Sequence, residues 1–269
     1  MFDYVAAVIL GIVEGITEFL PVSSTGHLIL VNQWVKLGGG ESFEKMFDVV
    51  IQMGAILAVV IFFWNRLWPF GKSSQSESRS VWDTWFKVAV ATVPAVIIGA
   101  TVGKKVQELL FNPIVVACAL VVWGGALIVI EKISKREKMP TVAQIGFSTA
   151  FLIGIIQCLA MVPGTSRSAA TIIGAMILGA SRLAAAEFSF FLAIPTLCAA
   201  SVYSLYKYGA AMDTHLAIVL AIGFVVSFLV AYAVIRAFMK FIQRRNFIPF
   251  GYYRIALGAL VLLYFLVIK

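Results

Sequence analysis

The sequence predicts an all-α polytopic membrane protein: six transmembrane helices plus two re-entrant broken-helix hairpins, arranged as an inverted repeat in a single integral membrane domain. Three observations carry that expectation. Hydrophobic residues make up 61% of the 269 positions and charged residues only 13%, with a mean hydropathy of +0.98, far from the range of soluble domains. Six apolar runs are long enough to cross hydrocarbon, which takes roughly 20 helical residues. Two further stretches interrupt an apolar helix near its middle with a cluster of Pro, Ser, Thr and Gly.

The six runs lie at about 47–65, 84–103, 112–131, 184–206, 215–239 and 250–268. The interrupted stretches are 3–36 and 145–181, each reading as two half-length helices. Irregular backbone survives at membrane depth only where protein or trapped water satisfies the freed N–H and C=O groups, so both breaks are expected to be enclosed. The aromatic pairs Trp64 with Trp68, Trp82 with Trp85 and Tyr252 with Tyr253 read as interface belts without a catalytic part. Cys118, Cys158 and Cys198 sit in apolar surroundings with neither paired spacing nor a neighbouring His, and read as packing residues. The start has no basic region ahead of its apolar run and carries Glu14 inside it, unlike a cleaved signal peptide.

The net charge of +8 comes from 21 Lys and Arg against 13 Asp and Glu. These bases fall in short clusters between apolar runs and form no stripe, which argues against nucleic acid as a partner and for topology control. With both breaks re-entrant, one side holds thirteen: Arg66, Lys72, Arg79, Lys87, Lys132, Lys135, Arg136, Lys138, Arg182, Arg236, Lys240, Arg244 and Arg245. The other side holds Lys36, Lys45, Lys104, Lys105, Lys207 and Lys269, while Arg167 and Arg254 fall within membrane segments. The richer side is read as cytoplasmic, which puts both termini outside.

The repeat pairs "GIVEGITEFLPVSST" (11–25) with "GIIQCLAMVPGTSR" (154–167), one residue gapped, so that Pro21 meets Pro163 and Ser24 meets Ser166. "FDVVIQMGA" (47–55) then parallels "FSFFLAIPT" (188–196), and "FNPIVVACAL" (111–120) parallels "FIPFGYYRIA" (247–256). Each unit, about 1–135 and about 141–269, is one hairpin plus three spans. An odd number of crossings inverts the second unit, and such repeats place a ligand where their two breaks meet.

The breaks carry the chemistry. Glu14 and Glu18, spaced i, i+4, share one helical face. Pro21 ends that helix, and Ser23, Ser24 and Thr25 are positioned to cap the next, whose first turn carries Gly26 and His27. In outline this is an anion or metal pocket, with amides and hydroxyls facing two acids and an imidazole. The second break, "PGTSRSAAT" (163–171), supplies Gly164 for the turn, the hydroxyls of Thr165, Ser166, Ser168 and Thr171, and Arg167. An intramembrane Arg is expensive to keep and is read as functional by default. Its fork suits bidentate phosphate binding, and the competing reading makes it a strut that pairs with Glu18. Gln52 is assigned to the cavity lining; Glu187 and Arg254 read as interfacial or structural partners.

Together the breaks resemble the signature motifs of the undecaprenyl-diphosphate phosphatase family, also called the bacitracin-resistance family. The match runs through "EGITEFLPVSSTGH" (14–27) and "PGTSRSAAT" (163–171), and extends to "FDVVIQMGAILAVV" (47–60), "AAEFSFFLAIP" (185–195) and "FIPFGYYR" (247–254). The resemblance implies a multi-pass enzyme of the bacterial cytoplasmic (inner) membrane, its site opening to the periplasm. Its implied reaction removes the terminal phosphate of undecaprenyl diphosphate, returning the carrier to peptidoglycan synthesis and conferring bacitracin resistance. It also implies functional roles for Glu14, Glu18, Ser24, His27 and Arg167 and dependence on a divalent cation. Many relatives carry Gly where this chain has Ala169, a small-for-small change that leaves the phosphate chemistry intact.

On that reading Arg167 grips the diphosphate, with Ser23, Thr25, Gly26, Gly164, Thr165, Ser166, Ser168, Thr171 and Gln52 as the substrate-binding surround. Glu14 and Glu18 hold Mg²⁺ or Ca²⁺, or one of them is the base; Ser24 or a water attacks phosphorus; His27 takes or gives the proton. The implied partners are the lipid substrate and membrane lipids, with a homodimer one arrangement open to the chain. The competing class is a secondary transporter or lipid flippase, because inverted repeats with broken helices are transporter architecture.

Overall fold

The computed structural model of the protein describes residues 2–133, 137–209 and 212–268, so Lys135, Arg136 and Lys269 of the charge count, and the side chain of Lys104, lie outside the described parts. The chain opens with α1 (Phe2–Thr17), a break, and α2 (Ser24–Val31). There follow α3 (Gly40–Phe62), the single turn α4 (Trp64–Leu67), α5 (Gln75–Ile98), a π-helical turn over Gly99–Gly103, α6 (Lys104–Leu110) and α7 (Pro113–Ile133). The chain continues with α8 (Phe147–Gln157) and a 3₁₀ turn, a break, α9 (Arg167–Ile177), then α10 (Arg182–Tyr208), α11 (Thr214–Ile242) and α12 (Ile248–Leu263). The protein is an all-α polytopic membrane protein. Six of its helices are long and apolar enough to span: α3, α5 with its π turn, α7, α10, α11 and α12. They coincide with the six predicted runs.

Neither broken segment contains a helix of spanning length. At 1.5 Å per residue, α1 with 16 residues and α8 and α9 with 11 each reach only part of the way across hydrocarbon. Both segments begin and end at one level. Asp3, at the head of the first, accepts from the Gly38 amide at its tail at 2.9 Å. In the second, Met139 donates to Gly179 O at 3.0 Å and Ser181 donates back to Met139 O at 2.9 Å.

The leading halves α1 and α8 lie at the periphery and show Val5, Ile9, Ile16, Phe151, Leu152 and Ile155 to the lipid side. α9 is enclosed, with every residue from Ser168 to Met176 buried. Small residues let these helices sit close, which substitutes for the weak hydrophobic drive between helices in lipid. A Cβ on Gly11 or Gly15 of α1 would stand 2.8 Å from the Gly223 and Ser227 carbonyls of α11, and one on Gly154 of α8 would stand 2.1 Å from Ala91 O of α5. α1 therefore packs on α11 as α8 packs on α5, while α3 meets α10 and α7 meets α12. Beneath the breaks lies a cluster of buried rings, with Phe19 edge-on to Phe190 at 5.1 Å and Phe63 edge-on to Phe191 at 5.2 Å.

Several expectations shift in detail. Trp64 and Trp68 do stack, 4.7 Å apart, but Trp85 turns inward and donates its indole N–H to Leu67 O at 2.7 Å. Cys158 and Cys198 are half-buried packing residues, whereas Cys118 faces outward. Glu187 is a structural partner, accepting from Arg66.

Candidate active site

The two breaks fold alike because each ends in a serine that both turns the chain and caps the next helix. Among the described residues, Ser23 (φ 74°, ψ 99°) and Ser166 (φ 71°, ψ 119°) are the two non-glycine positions with positive φ. That conformation costs about 1–3 kcal/mol for an L-residue and persists where surrounding contacts enforce it. Here each side chain caps a helix: Ser23 Oγ accepts from Gly26 N at 3.3 Å, and Ser166 Oγ accepts from Ala169 N at 3.3 Å. The equivalent residues are thus Ser23 and Ser166, one position off the sequence alignment that matched Ser24 with Ser166. Arg167 occupies in α9 the first-turn position that Ser24 occupies in α2.

Arg254 clasps the two breaks together. It is 0% exposed on α12, and its guanidinium donates to Pro21 O at 3.2 Å in one break and to Gly164 O at 2.8 Å and Thr165 O at 2.9 Å in the other. Those carbonyls have left helix geometry and need donors. Arg254 is therefore structural and fully enclosed, not interfacial. Gly164 (φ 90°) is required by space as well as by φ, because a Cβ there would meet Val116 O at 2.4 Å.

Around this clasp the predicted residues converge. Ser24 Oγ donates to Glu18 Oε2 at 2.7 Å, and Arg167 Nη2 donates to Glu18 Oε1 at 2.9 Å across 149 positions of sequence. Arg167 is braced through Nη1 by Ser189 O at 2.9 Å, and its guanidinium carbon lies 5.8 Å from the centre of the Phe19 ring. Ser168 Oγ contacts Leu20 O at 3.0 Å and Ser166 Oγ at 3.0 Å, and Thr171 Oγ1 contacts Ser189 Oγ at 2.6 Å. These hydroxyls tie the two breaks and α10 together. Glu14, one turn before Glu18, is 0% exposed, and both its carboxylate oxygens lack a hydrogen-bond partner; its charged neighbours are Glu18, Asp48 and Arg167. His27 is fixed at both nitrogens, with Nδ1 2.7 Å from Ser23 O and Nε2 2.6 Å from the Tyr253 hydroxyl.

Some expected contributors stand back. The hydroxyl of Ser24 points at Glu18 and not at His27. Gly26 is close to Leu120, where a Cβ would come within 3.0 Å of Cδ1, so its smallness serves packing. Thr25 is half-buried on α2, and Gln52 is half-buried on α3 outside the hydrogen-bonded cluster. Thr165 is buried and contributes its carbonyl to Arg254. Sequence reasoning missed Ser189, the only hydroxyl in the run "FSFFLAIP" (188–195), and Gln157, buried with both amide atoms unpartnered and aligned in sequence with Glu14. It also set Tyr253 aside as a belt residue, whereas its phenol sits in the site. A cavity of about 460 Å³, lined by Arg66, Thr84, Thr141, Glu187 and Phe191 among others, shares no residue with this cluster.

No group of three or more His, Cys, Asp and Glu side chains converges among the described residues. The unpartnered Glu14 carboxylate beside Glu18 nonetheless fits a cation that takes one or two carboxylates from protein and further oxygens from a bound phosphate, which is the habit of Mg²⁺.

The family profile described as "Bacitracin resistance protein BacA" matches residues 7–260. The chain belongs to the bacitracin resistance protein BacA family. Curated members of the family similar to it carry the name undecaprenyl-diphosphatase. That of Lacticaseibacillus paracasei is 48% identical over 268 residues, covering 98% of both chains, and that of Enterococcus faecalis is 47% identical over 266 residues, 97% of this chain and 96% of the relative. That of Acetivibrio thermocellus is 45% identical over 273 residues, the whole of both. The BacA-family match spans both breaks and the Arg254 clasp.

Proposed function

We infer that this chain is a membrane phosphatase that hydrolyses undecaprenyl diphosphate to undecaprenyl phosphate and inorganic phosphate. The observation that carries the reading is the buried line Ser24–Glu18–Arg167 at the facing N-termini of α2 and α9. Phosphoryl transfer asks mainly for positioning and neutralisation of charge, and amides, a guanidinium and hydroxyls converge here for both. Full-length relatives that bear the enzyme's name support the same reading.

An incoming diphosphate competes with Glu18 for Arg167, taking the fork of the guanidinium bidentately. Released from that pair, Glu18 is free to accept the Ser24 proton across its 2.7 Å hydrogen bond. Ser24 Oγ then bonds to the terminal phosphorus as the bridging P–O bond breaks and undecaprenyl phosphate leaves with the electron pair. Water then bonds to phosphorus, losing a proton to solvent by way of His27 at the rim, as the P–Oγ bond breaks; inorganic phosphate leaves and protonated Glu18 returns its proton to Ser24 Oγ. With Glu18 as the base, Glu14 would hold Mg²⁺ or Ca²⁺, which would neutralise the diphosphate charge when bound. The support for serine over water as nucleophile is the Ser24–Glu18 contact.

The same reading places the protein in the bacterial inner membrane with the site open to the periplasm, recycling the carrier of peptidoglycan synthesis and conferring bacitracin resistance. Its support is the uneven distribution of basic residues and the half-exposed Thr25 and His27 on α2, which leads back to the less basic side. The two segments are re-entrant and the halves form an inverted repeat; the support is their one-level entry and exit and the exchanged contacts of α1 with α11 and α8 with α5. The test is phosphate release from C55 diphosphate by purified protein. Ser24→Ala and Glu18→Gln are expected to lose about 10²–10⁴-fold in kcat while extracting and migrating as wild type. Wild-type turnover by Ser24→Ala would remove the serine from the mechanism.

A further inference from the structure

We propose that Tyr253 is the positioning residue of His27: its hydroxyl engages Nε2, the nitrogen left free once the Ser23 carbonyl has fixed the hydrogen on Nδ1, and holds the direction in which the ring faces. The proposal rests on the reading of His27 as part of the reaction machinery and names what makes it competent. His27 Nδ1 lies 2.7 Å from Ser23 O, and a carbonyl can only accept, so Nδ1 carries a hydrogen. The remaining nitrogen, Nε2, meets the Tyr253 hydroxyl at 2.6 Å. In the neutral ring the phenol must then donate to Nε2; in the protonated ring Nε2–H donates to the phenol oxygen. Either way one hydroxyl occupies the only nitrogen of His27 able to exchange a proton with substrate or water.

The ring contact reinforces this. The phenol and imidazole planes are 9° apart with centroids at 5.6 Å, so Tyr253 limits tilt as well as rotation. Its own position is set from below: the next residue, Arg254, is locked into both breaks, and Ser23, whose carbonyl holds Nδ1, is one of the two strained caps. Tyr253 is 47% exposed, so its hydroxyl stands at the rim, where it can let go of Nε2 when substrate arrives. Tyr252, 60% exposed on the same helix, makes no such contact and serves as an internal control. The charged and titratable groups facing His27 are Tyr253 and Arg254, and Arg254 is committed to carbonyls.

The experiment is a double-mutant cycle on phosphate release in detergent, with kcat and KM measured across pH for wild type, Tyr253→Phe, His27→Ala, the double variant and Tyr252→Phe. Phe keeps the stacked ring and removes only the hydroxyl. Tyr253→Phe is expected to lower kcat about tenfold with KM within about twofold, and to displace along the pH axis the limb that His27→Ala abolishes. In the His27→Ala background the same change is expected to add nothing, and Tyr252→Phe to behave as wild type. Full activity in His27→Ala would instead sink the catalytic reading of His27 itself. An inactive His27→Ala with a Tyr253→Phe that keeps the wild-type rate and profile, or a Tyr253→Phe that costs the same factor without His27, overturns the positioning role alone.

Discussion

Replacing Arg254 with Met is the sharpest probe of the architecture, because it keeps length and apolar bulk on α12 while removing the donors that hold the breaks together. Three carbonyls, those of Pro21, Gly164 and Thr165, lose a charged partner at 2.8–3.2 Å in a fully buried position. A buried acceptor left without a donor costs about 1–3 kcal/mol, so the gross loss is roughly 3–9 kcal/mol. Part returns, since burying the guanidinium is itself a desolvation cost of several kcal/mol in the parent. The net expectation is a destabilisation of about 3 kcal/mol, with phosphate release reduced further because Ser24 and Arg167 are set by the breaks that drift. Arg254→Lys should fare little better: a single ammonium lacks the planar fork that reaches Pro21 on one side and Gly164 and Thr165 on the other. Thermal unfolding in detergent, followed by a thiol- or tryptophan-based probe, measures the first effect and C55-diphosphate turnover the second. An Arg254→Met protein with parental midpoint and turnover would refute the clasp, since it would mean that water or backbone adjustment satisfies those carbonyls equally well.

Three further outcomes follow from the same geometry. Gly164→Ala places a methyl 2.4 Å from Val116 O at a φ of 90°, and should yield poorly folded protein or lose most activity; normal yield and turnover would show that the second break can relax away from α7. Chelation should abolish turnover and added Mg²⁺ or Ca²⁺ should restore it, while Glu14→Gln should need about tenfold or more metal for half-activation, measured by titration after chelator treatment. A short-chain, water-soluble isoprenoid diphosphate should show a KM far above that of the C55 lipid, because each CH₂ contributes roughly 0.8 kcal/mol to partition into the membrane where the site lies; equal kcat/KM for the two would contradict a lipid-facing entry.

What the chain determined by itself is its solvent and its expensive residues. A run of about 20 apolar side chains is a helix in lipid almost irrespective of neighbours, since the backbone has no other way to satisfy its N–H and C=O groups, and so the six spans could be read directly. The breaks were legible for the same reason in reverse: Pro21, Ser23, Pro163, Gly164 and Ser166 are the residue types that end and restart helices, and Glu18 and Arg167 are too costly in hydrocarbon to be incidental. Tertiary structure decided which atoms meet. Whether the Ser24 hydroxyl faces Glu18 or His27 depends on a few ångströms of backbone at Ser23, whose positive φ no residue pattern announces. Tyr253 and Arg254 are adjacent in sequence and belong to one aromatic-basic cluster, yet one lies on an imidazole at the rim and the other disappears between the two breaks. Side chains one position apart on a helix point about 100° apart, and only the packing of α12 against both breaks assigns each direction a partner.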